Sequence, residues 1–339
     1  MTAGDRTHPE GVALDLPLGG TILPLDRVNP QHAHLRAQHD QWFAERLIGR
    51  RRDKVLDQIK RHDMIGLATR AAPSADTGYL LDAALFTTTG FIVDDVLEDP
   101  ETSPLLIDAY LAVADESDMT VESEDLRLWA DSLTQARAHL TPGQKARHCR
   151  GLSEWVRCHA GRGRQLEHTR DLSSYLDFRR TDSGFTFLTV GVERSIGVDL
   201  EQVTYSPDLE RLHAACLAHG TLVNDLFSYR KERDAPVPMN AVHVLQRTEG
   251  LTLQGAVDKV CGLIREAERD VDRLLRVWKE ADGAAQALYA YAHAWWELLG
   301  GHLRWTLESE RYHGRGHVWD GTVPTAMVLY PDRTVLLAA

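Results

Sequence analysis

Apolar residues recur along most of the chain at helical spacing, every third or fourth position, with polar residues between them. The first such segment starts at Pro30, where PQHAHLRAQHDQWFAERLI sets Leu35, Trp42, Leu47 and Ile48 near one face. Similar segments follow at 51–70, 78–98, 103–118, 122–139, 143–166, 171–180, 186–196, 207–233, 238–248, 252–281 and 283–310. Breakers separate them: Ala72-Pro73-Ser74, Asp99-Pro100, Thr141-Pro142-Gly143, the stretch from Asp234 to Pro238, and Asp282-Gly283. Alternating strand patterns are missing, and VLYP and TVLLAA near the C-terminus are short and isolated. The pattern predicts an all-α protein.

No shift in composition marks a linker between the first helix and Arg311. The expectation is one helical domain over 29–312, layered as a bundle or barrel. An arm over 1–28 precedes it, and a tail over 313–339 either folds across the end of the bundle or stays disordered. The 339 residues are 43% hydrophobic, enough for a large core.

Charge narrows the partners. A net charge of -12 and a pI near 5.7 exclude a broad basic surface for nucleic acid or anionic lipid. Any anionic ligand must be held by a few local cations or by metal. No run of 18 apolar residues occurs, and MTAGDRTHPEGVALDLPLGG lacks the apolar core of a secretory signal. A cytoplasmic protein without membrane insertion is expected. The four cysteines form no CxxC pair, which argues against a thiolate metal site.

Four constellations carry chemistry. In FIVDDVLEDP (91–100), Asp94 and Glu98 lie at i and i+4, flanked by Asp95 and Asp99. Carboxylates crowded at a helix C-terminus repel one another and face the negative end of the dipole, so a divalent cation would relieve them. Taken alone, the motif also reads as a solvated acidic helix end. In VNDLFSYRKE (223–232), Asn224, Ser228 and Glu232 fall at i, i+4 and i+8. That row lines one helix face at roughly 6 Å per step. An amide, a hydroxyl and a carboxylate form an oxygen cage suited to Mg²⁺, with Lys231 alongside to reach a phosphate. A plain polar helix face is the bland alternative.

In SYLDFRRTDSGFTF (174–187), Arg179 and Arg180 end a helix that Asp182-Ser183-Gly184 interrupts. The arginines suit a phosphate clamp beside an opened backbone carbonyl, or simply complement the helix dipole. In WTLESERYHG, Arg311 and Tyr312 supply a guanidinium fork and a phenol for phosphate oxygens.

In this order on an all-α chain, the set resembles the bacterial class I terpene synthases, or terpene cyclases. Asp94-Asp95-Val96-Leu97-Glu98-Asp99 matches that family's aspartate-rich motif, and Asn224 to Glu232 matches NDxxSxxxE without departure. The resemblance covers roughly 25–312. It implies a helical barrel with a central active-site cavity and three Mg²⁺ ions held by Asp94, Asp95, Glu98, Asn224, Ser228 and Glu232. It implies a linear isoprenyl diphosphate, held by Arg180, Lys231, Arg311 and Tyr312.

Arg180 fits the family's diphosphate sensor, Arg179 being the neighbouring candidate, with Ser183 as linker and Gly184 as effector at the break. The carbonyl of Gly184 is a candidate base, and Phe91 and Phe185 are candidates to line the cavity. Where the family often has an aromatic residue two turns before the first aspartate, this chain has Thr87, Thr88 and Thr89. Farnesyl diphosphate is the expected substrate, geranylgeranyl diphosphate the second choice, and a homodimer the family's assembly. A chain-elongating prenyl diphosphate synthase would need a second aspartate-rich motif, whereas ERDVDRLL (268–275) offers only scattered acids. A non-catalytic helical binding protein is the remaining alternative.

Overall fold

Polar caps and left-handed turns cut the chain into helices close to the breakers visible in its sequence. The computed structural model describes residues 11–49, 52–97, 99, 102–117, 123–166, 169–200, 206–235, 239–280 and 284–338. After strand β1 (Val12–Asp15) come α1 (His32–Arg46), α2 (Arg52–His62), α3 (Met64–Ala71), α4 (Thr77–Leu97), α5 (Pro104–Ala114), α6 (Glu124–Arg137) and α7 (Pro142–Leu166). Then follow α8 (Leu172–Asp182), α9 (Phe185–Ser195), α10 (Pro207–Glu232), α11 (Ala241–Glu249), α12 (Leu253–Lys279), α13 (Ala284–Glu308), α14 (Glu310–His313), β2 (Ala326–Leu329) and β3 (Thr334–Leu337).

Several starts carry side-chain caps. Asp171 and Ser174 form a reciprocal capping box, and Ser206 before Pro207 accepts from Leu209 N. One expected helix, 51–70, is two: Asp63 takes φ 52° between α2 and α3, and its carboxylate caps α3 through Gly66 N.

The main core joins α8–α13 to the N-terminal strand, with Trp295, Trp305, Tyr291 and Phe227 fully buried. A second cluster around Trp129 and Trp155 joins α4–α7. Adjacent glycines let α13 pack tightly on two sides. A Cβ on Gly300 would come 2.5 Å from Pro24 O, and one on Gly301 would come 2.3 Å from Arg70 C in α3. Backbone cannot yield as a side chain can. Gly301→Ala is therefore expected to cost about 1–3 kcal/mol or more by overpacking, read as a Tm lowered by several degrees; an unchanged Tm would contradict this packing.

Of the two expectations for the tail, folded or disordered, residues 313–338 follow the first. β2 and β3 form an antiparallel hairpin through Tyr330–Arg333, and β2 pairs antiparallel with β1, Val12 opposite Leu329. Met327 and Leu329 enter the main core. From α10, Arg230 donates to Pro331 O (3.1 Å), Thr334 Oγ1 (3.2 Å) and Tyr312 O (3.4 Å), fastening the hairpin beside α14.

Buried histidines make the fold acid-sensitive. Burial, reinforced by Arg137, lowers the pKa of His148 to about 3; burial, reinforced by His317, lowers that of His313 to about 3. His148 Nδ1 accepts from Arg137 Nε at 3.3 Å, which requires a neutral ring. For a base whose folded pKa lies below its unfolded value near 6.5, the unfolded chain binds more protons between the two values. The contribution of these two rings is thus full above about pH 6.5 and falls as pH drops toward 3. The Tm is expected to decline already between pH 6.5 and 5, above the carboxylate range; a flat Tm there would refute neutral burial.

Candidate active site

The C-terminal end of α4 presents Asp94 and Asp95. Asp94 Oδ1 accepts from His159 Nε2 of α7 at 2.7 Å, while His159 Nδ1 donates to Trp155 O at 2.9 Å. Burial opposes charge on His159, but Asp94 and Asp182 outweigh it and its pKa is raised, consistent with two N–H donors. Asp95 lies at the rim. Desolvation raises its pKa, while Arg311 and Lys231 pull against that rise. Glu98 lies outside the described residues.

Across the mouth, α10 places the second row. Asn224 Nδ2 donates to Tyr312 Oη at 2.9 Å, Ser228 is buried, and Glu232 Oε2 accepts from Asn240 Nδ2 at 2.8 Å. Arg311, on α14, lays its guanidinium 4.1 Å from the centre of the Phe91 ring. Lys231 has its pKa lowered to about 8 by desolvation first, then by Arg311 and Arg230. The same two rim cations, Arg311 and Lys231, add to burial in lowering His62 to about 3. Cations held this close together make a place for an anion.

Of the two adjacent arginines, Arg179 faces the α10 row and Arg180 does not. Arg179 continues the face of Tyr175 one turn earlier, so it points at α10. It is 7% exposed, donates to Asp182 Oδ2 (2.6 Å) and approaches Asp225 Oδ1 (3.4 Å) and Asn224 Oδ1 (3.5 Å). Burial opposes its charge, but Tyr175, Asp225, Asp182 and Glu232 overcome this and hold its pKa above the ordinary value. Arg180, about 100° further round the helix, instead pairs with Glu210 at 3.0 Å on the outside.

The neighbouring residues differ in the same way. Ser183 is exposed, while buried Asp182 joins Arg179 to the break and lies 3.9 Å from His159. A polar path therefore runs Asp94–His159–Asp182–Arg179–Asn224, tying together the two rows.

Gly184 makes the break, with φ +70° as the N-cap of α9; a Cβ there would fall 2.0 Å from Phe187 Cζ. Its carbonyl accepts from Leu188 N at 3.1 Å, so one of its two lone pairs is used in opening α9. Phe185 is stacked on Trp295 at 5.1 Å and 4% exposed, a core residue, whereas half-buried Phe91 stands at the mouth under Arg311. Thr88 bonds His39 and Thr89 bonds Ser132, so both are spent on packing against α1 and α6. Gly90 and Gly220 lie one turn before Asp94 and Asn224, and an added Cβ at either would meet nothing within 4 Å. A methyl side chain at either position would meet no neighbour.

Sequence reading missed Asp225, Asp182, His159 and Asn240. Asp225 carried a signal as the second letter of its motif, and Asp182 as part of the helix break. Buried Asp225 accepts from Tyr175 Oη (2.7 Å) and Ala241 N (2.8 Å), and burial raises its pKa.

The donor set suits a hard divalent cation, being carboxylate, amide and hydroxyl oxygens. Among the described residues no three His, Cys, Asp or Glu side chains gather as a finished cage. The acids stand on two facing walls, so oxygens from an anionic ligand would complete the coordination.

An all-α fold with acidic and amide-hydroxyl-carboxylate rows, rimmed by cations, offers a place for a divalent cation and an anionic ligand. The sequence profile described as terpene synthase family 2, C-terminal metal binding, matches residues 85–270, more than half of the chain. The chain belongs to that family.

Among its relatives, a (3S,6E)-nerolidol synthase of Selaginella moellendorffii is 27% identical over 95% of this chain and 90% of its own. Sesquiterpene synthase 6 of Postia placenta (strain ATCC 44394 / Madison 698-R) is 25% identical over 85% and 87%. In fold, the chain is similar to germacradien-4-ol synthase from Streptomyces citricolor, with TM-score 0.68, 22% identity and coverage of 87% and 98%. Among the described residues no helix is long and apolar enough to cross a membrane.

Proposed function

We propose that the chain is a Mg²⁺-dependent terpene synthase that ionises a linear isoprenyl diphosphate, farnesyl diphosphate first, and cyclises or rearranges the cation, acting as a carbon–oxygen lyase. The observation that carries this reading is the convergence of Arg179, Lys231, Arg311 and Tyr312 between the two oxygen rows. The name of the Postia placenta relative, a sesquiterpene synthase, supports the fifteen-carbon chain. We extend the proposal to 29–312 as the synthase domain, to a cytoplasmic setting and to a homodimer.

Asp94 and Asp95 would hold ions on one wall and Asn224, Ser228 and Glu232 a third on the other. The bound metal would supply electrostatic relief of the charge that develops on the leaving diphosphate. Arg179 and Arg311 offer forks to phosphate oxygens, and Tyr312 and Lys231 single donors. Asp182 and Asp225 fix the fork of Arg179, so little ordering remains when the ligand arrives. Below the rows, the space beside Gly90 and Gly220 receives the prenyl chain, and the Phe91 face can stabilise positive charge.

The acids of α12 do not form a second aspartate-rich wall: Asp270 pairs with Arg273 (3.0 Å), Asp272 with Arg276 (2.9 Å), and Glu268 is buried against Thr21. That disfavours chain elongation.

The test is incubation with Mg²⁺ and geranyl, farnesyl or geranylgeranyl diphosphate separately, followed by gas chromatography with mass detection. A terpene from farnesyl diphosphate is expected. Intact substrate in all three would overturn the reading.

A further inference from the structure

Asn240 follows α10 by eight residues and opens α11, outside every motif of the sequence. It is fully buried. Its side chain spends all three of its bonds on one task. Nδ2 donates to Asp225 O at 2.6 Å and to Glu232 Oε2 at 2.8 Å, while Oδ1 accepts from Val242 N at 3.0 Å. The neighbours fix the orientation of the amide, since two acceptors on one side and an N–H on the other admit only this arrangement.

The next residue returns the tie, Ala241 N donating to Asp225 Oδ2 at 2.8 Å. The start of α11 is thereby locked to the turn of α10 between Asn224 and Ser228 and to Glu232 two turns on. Among the described residues, Glu232 Oε1 takes no hydrogen bond, so the amide occupies one carboxylate oxygen and leaves the other for a cation.

We propose that Asn240 is a positioning residue for the α10 metal site: its amide holds the Glu232 carboxylate in register with Asn224 and Ser228 before any ion binds. The proposal rests on reading Glu232 as a metal ligand. A capping residue alone would need only Oδ1, and a serine could provide that. The donor to Glu232 is the part that a cap does not require. Fixing a ligand's orientation from outside the coordination sphere is worth about 10–100-fold in metal affinity in metal sites generally.

The test uses the full chain with Mn²⁺ as the probe and inorganic diphosphate as the anion, counting bound ions by electron paramagnetic resonance and recording the Tm of each variant. Asn240→Ser keeps an N-cap but is too short to reach Glu232. It is expected to hold its Tm within a few degrees and to weaken one Mn²⁺ by about 10–100-fold, as Glu232→Gln does more severely. Asn240→Asp keeps cap and volume but sets a carboxylate against Glu232, and should lose that ion as well; it decides the matter if the serine variant folds poorly.

Wild-type Mn²⁺ binding in Asn240→Ser or Asn240→Asp, with Glu232→Gln defective, would overturn the proposal while leaving the metal reading intact. If Glu232→Gln also binds like wild type, or wild type shows no diphosphate-dependent ion, the metal reading itself falls and the proposal with it.

Discussion

Asn224→Ala abolishes diphosphate release from farnesyl diphosphate, with a loss of at least about 10²-fold, while the protein stays folded. The amide is the first of three oxygen donors on one helix face and also donates to Tyr312 at 2.9 Å, so its removal opens the metal row and frees the phenol that should meet phosphate. Alanine favours the helix, and the side chain is only partly buried, so the fold has little to lose. Asp94→Asn acts on the facing wall with similar force. Asparagine still accepts from His159, which keeps the buried imidazolium bonded while the anionic ligand is gone. Full turnover in either variant, with Tm unchanged, would remove metal from the account.

Arg179→Lys is the second large effect, again at least about 10²-fold in rate, whereas Arg180→Met costs little. Lysine keeps the charge near Asp182 and Asp225 but loses the fork that touches Asp182, Asp225 and Asn224 together. Removing the charge altogether would strand buried carboxylates and cost about 3–5 kcal/mol of stability, which would confuse rate with folding. Arg180 gives up an outer pair with Glu210 and its approach to the Phe185 ring at 5.6 Å. Measured side by side, a defect in Arg180→Met with normal Arg179→Lys would restore the sequence-based choice.

That choice shows where the sequence stops speaking. Two adjacent arginines at a helix end look alike, and only the phase of α8 against α10, set by Tyr175 on Asp225, sends one inward and the other to Glu210. The row Asn224, Ser228, Glu232 was legible because a helix turns side-chain spacing directly into a face. Asn240 was not, since it reaches that row only after the chain leaves α10 and turns back at α11. His159 was equally hidden, since it meets Asp94 across two helices 65 positions apart. The helical pattern was legible almost throughout, but β2 and β3 were not. Each is four residues long, and the partner of β2 is a strand near the other end of the chain. Gly184 read correctly as a break, while the fate of its carbonyl depended on α9 resuming at once.

The proposed function requires that the two rows and the cations between them act as one ionisation site. The most direct measurement is a crystal structure of the protein grown with Mg²⁺ and inorganic diphosphate. The anion is expected between the walls, touched by Arg179, Lys231, Arg311 and Tyr312, with Mg²⁺ on Asp94 and on Asn224, Ser228 and Glu232. Diphosphate held elsewhere, or held there by cations alone with no metal on either row, would contradict it.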